Sequence, residues 1–425
     1  MWKLILKNIW SRRKQNGWLM AELVMVSIVT WIIIDPIVVL LHDTSLPMGY
    51  DYDRLCVMAL EKKSEKAKGF DPEAQDDDAL TILMKKLKDY PEIETVCPLS
   101  EPYLNSTGTS STQFSKDTTS FSVFYTNFYQ GTDFFNAYGI KAIPGSPDAS
   151  ELCKMDYAPN DIIITRSMAE TFFPGESALN KTFYSHWKKD TTYYRIRGVV
   201  EDVRLRSTFR AASIAFRPVT FGNTYGSEYV LLRLKPRVSM KGFLNRFQTY
   251  MDEELKVGNW FVLNVSSYEK LNTDREYVSG VTNQIRLNTA LAVFFLVNLC
   301  LGVIGTFWLQ TRKRSEEAGI MRSFGATPGY ILRMLLGEGV VLTGISVSTG
   351  CFIYLQYAMS EGLFQGYHRF VGPEVMMDYW VTGFATHFIG VSLIVFLIIL
   401  CVVLTGIYIP ARNISQVNPV DALRH

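Results

Sequence analysis

Residues 311–339 read Thr-Arg-Lys-Arg-Ser-Glu-Glu-Ala-Gly-Ile-Met-Arg-Ser-Phe-Gly-Ala-Thr-Pro-Gly-Tyr-Ile-Leu-Arg-Met-Leu-Leu-Gly-Glu-Gly. This charged run lies between two long apolar segments and is too short to be a domain. Glu316 and Glu317 fall early in a helical window, and Ile320, Met321 and Phe324 give it an apolar side. Gly325 suits the left-handed conformation that ends a helix. Thr327-Pro328 then reads as N-cap and first residue of the next helix. The expectation is a short helix, a tight turn and the opening of a membrane helix, with Thr327, Pro328 and Glu338 at that opening.

Working outward, composition alone hides the class. A hydrophobic content of 48% and a net charge of +2 suit a soluble protein, but the apolar residues are clustered. Four stretches reach the roughly 20 residues that a bilayer requires: 18–41, 287–309, 334–359 and 381–409. The second carries no charge; Glu22, Asp35 and Glu338 lie in or beside the first and third. Lys3, Lys7, Arg12, Arg13 and Lys14 precede the first span, and Arg312, Lys313, Arg314, Arg322 and Arg333 lie between the second and third. The loop between the third and fourth offers only Arg369 against Glu361, Glu374 and Asp378. The positive-inside rule then puts both termini and the 311–333 loop in the cytoplasm, and residues from about 42 to 286 outside.

The expected fold class is an α-helical membrane protein with four transmembrane helices and a large extracytoplasmic α+β domain between helices 1 and 2. Its divisions are a cytoplasmic amphipathic helix (1–17), the first span (18–41), the outer domain (42–272) and a stalk with the second span (273–309). A cytoplasmic loop (310–333), the third span (334–359), a short outer loop (360–380), the fourth span (381–409) and a cytoplasmic tail (410–425) complete it. Trp2, Ile5, Leu6, Ile9 and Trp10 share one helical face, as in a helix lying in the headgroup layer. No small-residue cleavage pattern follows, so an uncleaved anchor is expected, with Pro36 kinking or ending the first span.

In the outer region, strands are expected near 55–60, 121–125, 161–165, 193–200, 229–234 and 262–265, and helices at 77–90, 167–173 and 239–255. The Ser/Thr-rich 105–120 reads as loop or exposed edge. Thr273-Asp-Arg-Glu276 has a capping-box pattern, and Tyr277, Val281 and Ile285 follow at four-residue spacing. One continuous helix from about 274 to 309 is expected, about 54 Å long, with a stalk projecting beyond the membrane. Cys56, Cys97 and Cys153 fall outside, where one disulfide has room to form without the sequence choosing its partners; Cys300, Cys351 and Cys401 read as buried thiols in spans.

Chemistry-bearing motifs are sparse. No Gly-x-x-x-x-Gly-Lys-[Ser/Thr] phosphate loop, His-Glu-x-x-His, Cys-x-x-Cys or Gly-x-Ser-x-Gly occurs. Ser267-Tyr-Glu-Lys270 and Ser185-His-Trp-Lys188 match Ser-x-x-Lys without its companion motifs and read as chance. Nothing marks a nucleic-acid partner or a metal site. Glu338 reads as paired at the interface with Arg333 or Arg314, and Asp35 as a marker of the outer boundary. His387 either faces the bundle interior or lies near a membrane end. Gly302 and Gly305 read as a close-packing surface.

Several of these residues carry a family resemblance. Glu317-Ala-Gly-Ile-Met-Arg-Ser-Phe-Gly-Ala-Thr327 resembles the Glu-Ile-Gly-Ile-x-Arg-Ala-Leu-Gly-Ala-Thr run of MacB/FtsX-type ABC transporter permeases. Pro410-Ala-Arg412 and Asn418-Pro-Val-Asp-Ala-Leu-Arg424 resemble that family's ending. Asp161-Ile-Ile-Ile-Thr-Arg-Ser-Met-Ala-Glu-Thr-Phe-Phe-Pro-Gly175 and Arg197-Gly-Val-Val-Glu-Asp202 resemble strand motifs of the MacB-type periplasmic core domain. Ala318, Ser323-Phe324 and Pro328 depart from the pattern without breaking its helix-turn character. MacB proper carries a fused ATPase domain, which this sequence does not contain.

The resemblance implies a non-catalytic permease subunit in a bacterial inner membrane, with ATP and Mg bound by a separate ABC ATPase subunit. It implies that Glu317, Gly319, Ile320, Arg322, Phe324 and Gly325 couple to that ATPase, and that Thr273, Glu276, Tyr277, Val281 and Ile285 form the stalk. A homodimer or a paired related permease is implied, along with membrane lipid and an extracytoplasmic partner or membrane-fusion protein. The cargo class would be a peptide, lipid or lipoprotein, handled by mechanotransmission. The alternative is an FtsX-like sensor or scaffold that activates an outer partner such as a cell-wall hydrolase.

Overall fold

Apolar runs of bilayer length become long helices, and the alternating segments between the first two become an α/β domain. The computed structural model describes residues 9–11, 13–104, 106, 110–187, 190–205, 213–220, 227–364, 380–381 and 383–416. Side chains at 13–16, 76–77, 187, 227, 303 and 306–316 are outside that description. Residues 1–8 of the expected amphipathic helix, most of the 360–380 loop and the 417–425 tail motif therefore lie outside the described residues.

In chain order the elements are α1 (Arg13–Ser45), β1 (Leu55–Lys62), α2 (Asp76–Lys88), β2 (Ile93–Leu99), β3 (Ser110–Lys116) and β4 (Thr119–Tyr129). Next come α3 (Phe134–Tyr138), α4 (Ala149–Lys154), β5 (Asp161–Thr165), α5 (Arg166–Phe172), β6 (Thr182–Trp187), β7 (Asp190–Val200), β8 (Ile214–Val219) and β9 (Ser227–Leu234). Then follow α6 (Met240–Glu254), β10 (Lys256–Val257), β11 (Trp260–Ser267), α7 (Tyr268–Val278), α8 (Val281–Ser323), α9 (Pro328–Glu361) and α10 (Phe384–Ser415). Contacts divide them into two units, one built mainly from Asp43–Val281 and one from the long helices that flank it in sequence.

The α/β unit contains a five-stranded sheet in the order β10-β11-β1-β9-β2 and a closed barrel in the order β3-β4-β8-β5-β7-β6. β1 is buried from Leu55 to Leu60 because both faces of its sheet are covered. Cys56, Met58 and Leu60 meet Leu80, Leu83 and Leu87 of α2 and Phe243, Phe247 and Met251 of α6. Those helix positions recur every three or four residues, the spacing that gathers side chains onto one face. Ser239 caps α6 by accepting from Gly242 N. Leu55, Val57, Cys97 and Leu231 belong instead to a core with Phe128, Ile163, Val200 and Phe216 of the barrel strands. The barrel interior is filled by Phe114, Val123, Ile162, Ile164, Phe183 and Ile196.

The Ser/Thr-rich segment differs from the loop expectation. Ser110–Lys116 pairs residue by residue with Thr119–Tyr125, and Ser115 also meets Tyr184. Its only large apolar side chain, Phe114, is the one turned into the barrel, so composition concealed the strand. The three outer cysteines are buried and unbridged; burial pushes the Cys56 and Cys97 thiols up to about 12, which leaves them inert at neutral pH.

Glu228, opposite Leu60 in β1, is only 5% exposed, and burial raises its carboxyl to about 7. The folded state therefore binds this proton more tightly than the unfolded chain. Its stabilising contribution is complete below the ordinary carboxylate range and is lost as pH rises through about 7. Thermal melts should show the α/β unit losing stability between about pH 5 and 8. Glu228→Gln should flatten that slope; an unchanged slope would remove Glu228 as its source.

Among the described residues, four helices are long and apolar enough to cross a membrane: Gly17–Ser45, Val281–Gly302, Pro328–Glu361 and Phe384–Ser415. α10 buries His387, Val391, Val395, Ile399, Val403, Ile407 and Ala411, a strict four-residue stripe. Ser27 Oγ occupies the place a side chain at Gly350 would need, which lets α1 and α9 approach closely. Gly302 is likewise filled by Glu22, whereas Gly305 has no such neighbour within 4 Å. Cys401, expected to be buried, is exposed at the edge of the helical unit.

Two helix boundaries depart from expectation. Pro36 lies inside α1, which continues to Ser45. The single helix expected from 274 to 309 is instead two: α7 ends at Val278, Gly280 takes φ +81°, and α8 starts at Val281. Only glycine takes that left-handed conformation without strain. Thr273 is not a cap. Its Oγ1 donates to Glu269 O within α7, whose N-cap is Ser267, accepting from Lys270 N. This also accounts for the Ser-x-x-Lys match there: the serine is a helix cap. The second match has Ser185 buried in β6, and its Lys188 lies outside the described residues.

Candidate functional site

The turn between α8 and α9 is held by backbone chemistry. α8 does not stop at the end of the apolar run. It runs on to Ser323, 43 residues in all, because Arg, Lys, Glu, Ala and Met are all good helix formers. The expected short helix is therefore the last part of a helix about 64 Å long. Gly325, at φ +92°, ends it. Gly325 N donates to Arg322 O at 3.0 Å and Ala326 N to Met321 O at 3.0 Å, the paired bonds of a Schellman motif. Thr327 Oγ1 then accepts from Tyr330 N at 3.3 Å, and Pro328 occupies the first turn of α9, where a missing N–H costs nothing.

This double cap fixes which side chains face inward. Ala318 and Ile331 are buried in the helical core with Ala411 and Ile414 of α10, and Gly319 is buried beside Ala318. Arg322 Nη1 donates to Gln416 O at 3.1 Å, joining the turn to the end of α10. Glu317, Ser323, Gly325, Thr327 and Pro328 are exposed. Three large apolar groups are exposed with them: Ile320 at 46%, Tyr330 at 41% and Phe324 at 88%. A capped turn that exposes large apolar side chains and a carboxylate has the chemistry of a protein-docking surface.

The other expected positions are dispersed. Glu338 is buried at 3% exposure, whereas Arg333 on the same helix is exposed and the Arg314 side chain lies outside the described residues. Tyr277 is 56% exposed, Val281 is buried and Ile285 is half-buried, on either side of the Gly280 break. Glu276 O accepts from Ser279 Oγ at 3.1 Å as α7 ends.

Asp35 is a buried residue with a specific partner. It is 1% exposed, and its Oδ1 lies 2.6 Å from Nε2 of His387, which is fully buried. Each residue was visible singly in its apolar run, but nothing local pairs positions 352 apart in sequence. Arg204 was missed altogether. It is 2% exposed and donates to Leu46 O at 2.6 Å and Asp43 O at 2.5 Å, capping the last turn of α1. Tyr50 and Tyr268, joined at 3.4 Å between their hydroxyls, were also missed. Among the described residues, no His/Cys/Asp/Glu group has the makings of a metal site.

Four helices of membrane-crossing length, with an α/β domain between the first and second in sequence, are the architecture of a multi-pass membrane protein. Residues 44–250 match the MacB-like periplasmic core domain, and residues 289–419 match the FtsX-like permease C-terminal family. The chain belongs to the MacB/FtsX-type ABC transporter permeases. It is 24% identical to the ABC transporter permease YtrF of Bacillus subtilis, over 36% of this chain and 38% of that protein. It is 30% identical to the macrolide export ATP-binding/permease protein MacB of Escherichia coli K12, over 32% of this chain and 18% of that protein. The chain thus spans well under half the length of the curated relatives it matches. Among solved structures, the periplasmic region of MacB from Actinobacillus actinomycetemcomitans is similar at 14% identity and TM-score 0.32, covering 54% of this chain and 94% of that one.

Proposed function

We propose that this permease subunit couples ATP hydrolysis by a separate ABC ATPase to conformational change in its α/β domain, for export or extraction of a peptide, lipid or lipoprotein. The observation that carries the reading is the α8–α9 turn. Its backbone is fixed by two caps, and it exposes Phe324, Ile320 and Glu317. α8 supports the transmission, since one unbroken helix joins this turn to the residue that follows Gly280. A shift imposed at one end of a rigid helix is delivered at the other, and the Gly280 break supplies a pivot.

In this reading both termini and the turn are cytoplasmic, the membrane is the bacterial inner membrane, and ATP and Mg are held by the partner. Two permease copies work together. Support for pairing comes from α8, which exposes Leu287, Leu291, Phe294, Val297 and Leu301 along one stripe, with the carboxamide of Asn298 beside it. A polar side chain in such a stripe gains from meeting another helix. Purification of the full chain from its native membrane tests the proposal. An ABC ATPase subunit should co-purify, in a complex holding two permease copies. Recovery without any nucleotide-binding subunit would sink the coupling reading.

A further inference from the structure

In the α/β unit, the segment that joins α3 to α4 adds a short edge to the barrel. Glu201 N donates to Lys141 O at 2.8 Å and Ile143 N to Val199 O at 3.1 Å, so residues 141–143 run antiparallel to the end of β7. Ala142, opposite Val200, lies between those two bonds. N–H and C=O groups alternate in direction along an extended strand, so those of Ala142 point away from β7. Neither has a hydrogen-bond partner among the described residues. Pro144, which has no N–H to offer, closes this edge.

Two hollows adjoin the same segment. One, of about 580 Å³, is floored by the buried Phe135 and Ile140 and edged by Ala142 and Ala149. The other, of about 560 Å³, lies against α5 and is floored by Phe173, Ala178 and Val199, also buried. Both volumes are of the size that holds a ligand. Ile143 to Ser146 line the two alike, so the hollows meet across this loop, where Gly145 at φ +87° puts no side chain in the way. Five charged side chains line them. Arg166 is paired with Glu201, Glu176 is paired with Lys181, and Asp148 caps α4 by accepting from Glu151 N at 2.8 Å. Lys141 at the first hollow and Glu170 at the second are exposed, and neither has an ion pair among the described residues.

We propose that the two hollows form one binding groove for an extended peptide, which adds as a strand at Ala142. An acidic group of the peptide faces Lys141 and a basic side chain faces Glu170. The unpaired edge selects this ligand. A lipid chain or an alkylamine fills an apolar floor but leaves the donor and the acceptor of Ala142 unused, whereas a peptide main chain supplies a partner for each. In strand addition the main-chain bonds hold the ligand and alternate side chains enter pockets, which places one apolar side chain over each floor. The two unpaired charges, one at each hollow, set the direction in which the peptide lies. The groove lies wholly within the α/β unit and is independent of the ATPase reading, since binding is measured without nucleotide.

Fluorescence anisotropy on the full chain in lipid nanodiscs tests it. The probes are the dye-labelled hexapeptide Asp-Val-Leu-Val-Leu-Lys, blocked at both ends, and the same peptide reversed, which together cover both strand directions. One of the two should bind saturably. N-methylation of its internal amides, one at a time, should weaken binding about tenfold or more at the position that donates to Ala142 O. The amides on either side, whose N–H groups face solvent, should change by less than about threefold. Glu170→Gln should weaken binding by about fivefold, the scale of one exposed ion pair. Glu170→Lys should reject this peptide and accept the one with glutamate in place of its lysine. Glu170 is exposed, so both variants keep the fold. Octylamine, an apolar cation without a main chain, should compete only at concentrations about a hundredfold higher. No saturable binding of either peptide, equal sensitivity at every amide, unaltered binding in both Glu170 variants, or competition by octylamine at the peptide's own concentration would each overturn the proposal.

Discussion

Under the proposed coupling, Phe324→Ala should release an ABC ATPase subunit while leaving the permease folded. At 88% exposure the ring covers almost nothing of its own chain, so its removal costs the fold little. An aromatic anchor at the centre of a protein interface contributes about 2 kcal/mol or more, which corresponds to roughly thirtyfold weaker binding. Glu317→Lys should weaken association as well, since Glu317 is exposed on the same rim. Arg322→Glu is a less clean probe, because Arg322 also bonds Gln416 O and its loss disturbs the end of α10. ATPase recovery on the immobilised permease, with elution volume as the control for folding, measures all three. Full recovery in both Phe324→Ala and Glu317→Lys would rule out this turn as the docking site.

Arg204→Ala is expected to have the largest effect on stability. The last carbonyls of any helix lack partners within it, and a cation there also complements the helix dipole. Arg204 supplies both to α1 through Asp43 O and Leu46 O, while its own N–H donates to Met48 O at 2.9 Å. Truncation removes two charge-assisted hydrogen bonds, to the half-buried Leu46 O and to Asp43 O, which keeps its bond from Leu46 N, and leaves a cavity, a loss of about 3 kcal/mol. For a domain of this size the melting midpoint should fall by roughly 6–12 °C. Arg204→Lys should fall between, because one ammonium serves the two carbonyls less well than a planar fork. A midpoint within about 2 °C of the unmodified chain in Arg204→Ala would show that the cap carries little.

These two residues mark the limits of reading a sequence of this kind. Phe324 was legible as a candidate because its neighbours form a local pattern: the Gly325 stop, the Thr327-Pro328 start and the motif between them act over a few residues. Arg204 was not legible. It lies in no periodic pattern, and its partners are backbone carbonyls 158 and 161 residues away. The strand at Ser110–Lys116 was obscured for a different reason: hydroxyl side chains on a paired strand look like those of a loop until the partner strand is known. The stalk failed by over-reading, since Thr273-Asp-Arg-Glu276 has the composition of a cap while Ser267 does the capping.

Residues 311–339 therefore divide cleanly by the range of the forces involved. Periodicity, apolar run length and the residues at Gly325, Thr327 and Pro328 determined by themselves that a charged turn joins two membrane helices, because caps and bilayer length are local constraints. Tertiary structure alone decided that the turn is the end of one long helix, which of its side chains face out, and that Asp35 meets His387. Those outcomes depend on which surfaces remain after distant helices have packed, and no window of sequence contains both partners.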